Sequence, residues 1–282
     1  MTRYLTFDVF TDTPFGGNPL AVIPDASALP EDALQKIAAE FNYSETTFVT
    51  PPTDPAHTAR VRIFTPTMEV PFAGHPTIGT AVALAQAGHG PEMVLELGVG
   101  PIHVFATPSD ARFTTSAPLD ILAHPTPAEV AAALSLPQDQ IETARHAPVM
   151  ATLGLPFTLT ELTSRAALAA CSPDIAGFRA GNAKYPGALD FAQFAYWRGP
   201  DAIHARMFAP LDNIPEDPAT GSAAATLAAL LAQLDGAPQN FRLHQGDDMG
   251  RPSRIGLSTK AGAVTVSGAA CAMMQGRLIR VE

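Results

Sequence analysis

The sequence predicts an α+β fold of two similar domains, each a curved, mostly antiparallel sheet wrapped around one central helix. Three observations carry this. Strand-like runs recur at short intervals, and most are separated by Gly, Pro, Asn or Asp rather than by helices. Two helices of small residues stand 147 positions apart, counted from Gly74 to Gly221. Each is entered through a glycine after a strand-like run and a Pro-rich loop. Small side chains suit a helix threaded through a strongly curved sheet, where bulky ones would not fit.

Taken in order, strands are expected at residues 4–10, 20–23, 46–50, 60–65, 93–97, 102–107, 111–115, 155–162, 191–197, 205–209, 255–258, 263–266 and 277–281. A first helix follows Pro30, Glu31 and Asp32, because Leu34, Ile37, Ala38 and Phe41 repeat at helical spacing behind an acidic first turn. The two small-residue helices run over 74–85 and 221–232. Thr126-Pro127-Ala128-Glu129 reads as a capping box that opens a helix through Leu134. Prolines interrupt the strand pattern near 116–126 and mark the domain boundary there.

The chain has 282 residues, of which 46% are hydrophobic and 16% charged, so it can bury real cores and is not compositionally disordered. Its 27 prolines are roughly twice the usual share. A formal net charge of −10 would repel a phosphate backbone, which argues against nucleic-acid binding. The two cysteines, Cys171 and Cys271, are too far apart to suggest a disulfide framework or a CxxC metal pattern, and a reducing cytoplasm is the expected compartment. Asp8 interrupts the first apolar stretch, and residues 223–232 are too few to span a bilayer, so no membrane association is expected.

Candidate chemistry concentrates at a few places. A glycine at a helix entrance lets backbone N–H groups approach an anion, which the positive end of the helix dipole favours. Gly74 and Gly221 with Ser222 provide two such entrances, although Gly-Ser before a helix is more often only a cap. Glu45 lies between a helix end and an apolar strand, where partial desolvation would raise its pKa toward the range of a general acid/base. Position alone still favours a solvated strand-edge glutamate. His75 is equally readable as a hydrogen-bonded core residue, and Asp217 as a turn former before Pro218. HExxH, GxSxG, P-loop and dinucleotide fingerprints are missing, and the eight histidines are scattered without an i, i+4 pair or nearby cysteine. Neither a metal nor an organic cofactor is expected.

Taken together, several segments carry a family resemblance. They are Phe7-Asp8-Val9-Phe10-Thr11, Phe15-Gly16-Gly17-Asn18-Pro19-Leu20-Ala21-Val22, Asn42-Tyr43-Ser44-Glu45-Thr46-Thr47-Phe48-Val49, Arg62-Ile63-Phe64-Thr65-Pro66 and Pro71-Phe72-Ala73-Gly74-His75-Pro76-Thr77. Asp217-Pro218-Ala219-Thr220-Gly221-Ser222-Ala223, Gln245-Gly246 and Met249-Gly250-Arg251-Pro252-Ser253 complete the set. The chain resembles the phenazine biosynthesis PhzF-like family, which is related in fold to diaminopimelate epimerase.

The resemblance implies two pseudo-symmetric domains, each an open barrel around a central helix, with the active site in the cleft between them and a homodimer as the assembly. It places residues 1–118 in the first domain, completed by the last strand at about 266–282, and 119–265 in the second. Glu45 would be the acid/base, with His75 and Asp217 contacting and orienting a small carboxylate substrate. Asn18, Ser44, Gly74, Gly221 and Ser222 would bind that substrate. Related epimerases and racemases carry a thiol directly before each helix-entrance glycine, where this chain has Ala73 and Thr220. Neither can act as a base, and Cys171 and Cys271 lie elsewhere, so two-thiol racemisation is excluded by this reading, and one carboxylate suits allylic or tautomeric isomerisation on one face. In the phenazine branch the substrate is trans-2,3-dihydro-3-hydroxyanthranilate. Epimerisation by Glu45 with Asp217, and a non-catalytic metabolite-binding role, stay open as alternatives.

Overall fold

The computed structural model describes residues 1–185 and 190–279, so the expected strand at 277–281 falls partly outside the described residues. The chain divides into two compact units, Met1–Thr115 with Thr265–Glu282, and Ser116–Val264.

In the first unit, strands β1 (Thr2–Val9), β2 (Asn18–Ile23), β3 (Glu45–Thr50), β4 (Ala59–Phe64), the two-residue β5 (Glu69–Val70), β6 (Glu92–Leu97), β7 (Gly100–Ala106) and β8 (Asp110–Thr115) are joined by helices α1 (Glu31–Phe41) and α2 (Gly74–Gln86). Most neighbours pair antiparallel. The exceptions, β2 with β3 and β4 with β6, are parallel pairs whose crossovers are α1 and α2. The chain's final strand, Ala263–Leu278, pairs with β1 and with β8 and so closes an eight-stranded ring. It is one long strand where the sequence suggests two short ones, and a register shift opposite Thr6 and Phe7 lets it follow the curvature.

Inside this ring runs α2. Every residue from Gly74 to Leu84 is buried, and the helix packs against β1, β2, β3, β7 and β8. Its small residues have a direct steric reason. A Cβ on Gly79 would lie 2.5 Å from Leu20 Cδ2 and 2.8 Å from Val9 Cγ2, both fully buried side chains. Gly79→Val is therefore expected to destabilise the protein by about 2–3 kcal/mol through overpacking. A lower urea midpoint with an unchanged slope would show it.

In the second unit, β9 (Asp120–Ala123), β10 (Val149–Thr152), β11 (Pro156–Glu161), β12 (Gln193–Arg198), β13 (Ile203–Ala209), β15 (Asn240–Gln245) and β16 (Ser253–Lys260) pair in succession, and the short strand β14 (Ile214–Asp217) pairs with β13. Helix α6 (Gly221–Asp235) buries its small-residue face and packs on β10, β11 and β16. Helices α3 (Pro127–Leu134), α4 (Arg165–Ala170) and α5 (Ile175–Lys184) cover another part of the core. The expected capping box is present: Glu129 N–H donates to Thr126 Oγ1, and Thr126 N–H donates to the Glu129 carboxylate at 2.8 Å.

The α+β class and the four anticipated helices are borne out. Five strands (β5, β9, β10, β14 and β15) and two helices (α4 and α5) were not anticipated. β5, β9, β10 and β14 have four residues or fewer and owe their extended form to a neighbouring strand more than to their own pattern. Among the described residues, no helix is long and apolar enough to cross a membrane.

Candidate active site

Two clusters hold the residues singled out from the sequence, one in each unit. The first forms where β2, β3 and the start of α2 meet. Along β3, alternate residues point inward: Glu45 toward His75 on the first turn of α2, and Thr47 toward Thr80, with the two hydroxyls 2.9 Å apart. Glu45 is not solvated at the strand edge, because only 16% of its side chain is exposed. Its Oε2 lies 3.3 Å from His75 Nδ1.

His75 is buried, and that burial pushes its pKa down to about 3 against a weaker upward pull from the Pro19 backbone. The ring is therefore neutral, and its contact with Glu45 is not an ion pair. Ser44 Oγ donates to Asn18 Oδ1 at 3.3 Å, which turns the Asn18 amide nitrogen toward His75 Nδ1 at 3.4 Å. Asn18 and Glu45 thus both meet the His75 ring at Nδ1, while Nε2 is a buried atom without a hydrogen-bond partner.

The neutral histidine also sets a pH dependence. Its folded pKa is depressed from 6.5, so the unfolded chain binds more protons below that value, and stability falls as pH drops from about 6.5 toward 3. The slope from this one group is at most about 1.36 kcal/mol per pH unit. His75→Gln is expected to flatten that part of the curve in urea unfolding measured at successive pH values.

In the second unit, the cluster is the loop leading into α6. Asp217 is buried at the end of β14, and Thr220 Oγ1 donates to its Oδ2 at 2.5 Å. Because Thr220's hydroxyl is used this way, α6 has no side-chain cap, and the first helical bond is Ala224 N–H to Thr220 O. The N–H groups of Gly221 and Ser222 precede that bond and make none within the helix. At the corresponding entrance of α2, Ala73 likewise offers no side-chain cap.

This loop is held from behind by Gln245, Ser253 and Arg206. Gln245 Nε2 donates to Asp217 O at 2.7 Å and Thr220 Oγ1 at 2.9 Å, while its Oε1 accepts from Thr220 N–H at 3.1 Å. Ser253 Oγ donates to Pro218 O at 2.8 Å. Arg206 on β13 forks onto Glu216, the residue before Asp217, at 2.7 and 2.8 Å. The segments 245–246 and 249–253 were visible in the sequence as motifs. Their task is set by tertiary position, because Gln245 on β15 and Ser253 on β16 reach the loop across the sheet.

Residues 7–276 match the PhzC-PhzF family, the phenazine biosynthesis-like proteins. The chain belongs to that family. An uncharacterized isomerase of Mesorhizobium japonicum is 37% identical, the match covering 98% of each chain. Trans-2,3-dihydro-3-hydroxyanthranilate isomerase of Pseudomonas aeruginosa is 36% identical over 98% of this chain and 99% of that one. Among solved structures, a predicted epimerase from Pseudomonas aeruginosa is 31% identical and superposes with a TM-score of 0.84, covering 99% of this chain and 100% of that one. The chain is accordingly a PhzF-family isomerase.

In this PhzF-family isomerase neither thiol is equipped as a base. Burial pushes the Cys171 thiol up to about 12, and Cys271, on the final strand, is also raised by desolvation. The residues directly before Gly74 and Gly221 are Ala73 and Thr220, and Thr220 spends its hydroxyl on Asp217.

Proposed function

We propose that this protein is a cofactor-independent isomerase of a small unsaturated carboxylic or amino acid, and that Glu45 moves the proton. The observation that carries the reading is the Glu45 carboxylate held 3.3 Å from a neutral, buried His75. A cationic histidine there would pin Glu45 in its ionised form. A neutral one lets the carboxyl group gain and lose a proton at small cost.

In the proposed reaction, Glu45 removes a proton from one carbon, the double bond shifts, and the same carboxyl group returns the proton to another carbon on that face. No electron is gained or lost overall. His75 and Asp217 orient the substrate, Asn18 and Ser44 fix His75 and contact the substrate, and the helix entrances at Gly74, Gly221 and Ser222 take its carboxylate. Trans-2,3-dihydro-3-hydroxyanthranilate is the substrate of first choice, since the Pseudomonas aeruginosa relative is named for that isomerisation. We assign the protein to the cytoplasm as a homodimer, a state that light scattering on a sizing column measures directly.

The testing experiment is turnover of trans-2,3-dihydro-3-hydroxyanthranilate in deuterated water. Isomerised product carrying label at the reprotonated carbon is the expected result, in a proportion set by how fast the Glu45 carboxyl exchanges its proton with solvent before returning it. Stereochemical inversion at the original carbon would favour an epimerase that uses Glu45 and Asp217. Binding of small carboxylates without conversion of any would point to a metabolite-binding protein.

A further inference from the structure

Away from the proposed active-site residues, the parallel pairing of β13 with β15 sets His204 directly beside His244. Their rings meet edge to face with centroids 5.0 Å apart. The turn after β15 brings Asp247 to the same place, with Oδ2 3.7 Å from His204 Nδ1. One donor atom from each of the three side chains lies within 4.8 Å of the others. We propose that His204, His244 and Asp247 form a binding site for a divalent transition-metal ion of the zinc type.

The argument is one of donor chemistry and distance. Two imidazoles and one carboxylate are a donor set that suits zinc, and a three-residue set leaves a coordination position open. Zinc bonds of about 2.0–2.2 Å put neighbouring donors roughly 3.3–3.6 Å apart in a tetrahedral site. The His204 and Asp247 atoms are already close to that separation, and rotation of partly exposed side chains can bring in the third. His204 Nδ1 is a buried atom that faces Asp247 Oδ2 across 3.7 Å, a gap an ion bound by both would close. Arg254 donates to Asp247 Oδ1 at 3.0 Å, which fixes the carboxylate from its far side and leaves Oδ2 toward the histidines. Trp197 packs beside His204 at 5.6 Å between ring centroids and restricts how that ring can turn. The two histidines lie too far apart in sequence for any spacing motif to join them.

His244 and Asp247 flank Gln245 and Gly246, so an ion held there would brace the segment behind the Asp217 loop. The test of the site does not depend on turnover. Untagged, chelator-treated protein titrated with zinc chloride in a calorimeter is expected to bind one ion per chain and to melt at a higher temperature, while magnesium chloride leaves the melt unchanged. Cobalt should give the visible absorption of a low-coordinate site. His204→Gln, His244→Gln and Asp247→Asn are each expected to weaken zinc binding at least tenfold, given that loss of a supporting residue alone costs about 10–100-fold. His89→Gln, at an exposed histidine outside the cluster, should leave binding unchanged. Equal affinity and stoichiometry in wild type and the three variants would overturn the site, as would a wild-type protein with no zinc-dependent shift. Should His204→Gln fail to fold in the absence of zinc, the partly exposed Asp247→Asn decides the matter.

Discussion

Glu45→Gln is expected to lower isomerase turnover by about 10²–10⁴-fold, the usual loss when a positioned acid/base is removed. Glutamine keeps the size of the side chain and part of its hydrogen bonding, but it cannot accept the substrate proton. Ligand binding should change little, because the substrate carboxylate is assigned to the helix entrances. The effect should therefore appear in kcat more than in KM. In deuterated water the variant should also lose incorporation of label at the reprotonated carbon of the product. Near wild-type turnover by a folded Glu45→Gln protein would remove the assignment, and Asp217→Asn would be the next variant to measure.

Much of the fold was legible because its strongest constraints are local. The runs around Gly74 and Gly221 contain too little side-chain volume to be surface helices of ordinary pattern, and Gly79 shows the reason in its distance to Leu20 and Val9. The capping box at Thr126 was equally visible, since all its parts lie within four residues. The final strand was harder. Its length comes from pairing with β1 on one side and β8 on the other, which no local pattern records. At the candidate site, motif position singled out Glu45 and His75. It could not tell that Glu45 turns inward, because that depends on the register of β3 against β2 and on Thr47 meeting Thr80. Gln245, Ser253 and Arg206 were illegible as supports of the Asp217 loop for the same reason: each acts across strands far apart in sequence.

Those supports make the second large effect. Gly246→Ala is expected to destabilise the protein by about 2–5 kcal/mol, adding the strain of a left-handed alanine to that of overpacking. Gly246 has φ +78°, and a Cβ there would lie 2.3 Å from Arg251 O and 2.8 Å from Pro218 O. Both obstacles are backbone atoms, so no side chain can swing aside. Relief requires the 218 or 251 segment to move, and the first of these carries Asp217 and Thr220 into α6. Gly250 provides the internal comparison, with φ +73° but nothing within 4 Å of its added Cβ. Gly250→Ala should therefore show the conformational strain alone, about 1–2 kcal/mol. Urea unfolding of the two variants separates these contributions. If Gly246→Ala lost no more stability than Gly250→Ala, the close approach of Gly246 to the Asp217 loop would not be a constraint on the fold. If it did lose more, carboxylate binding should weaken along with it, because Gly221 and Ser222 are held in place through the same loop.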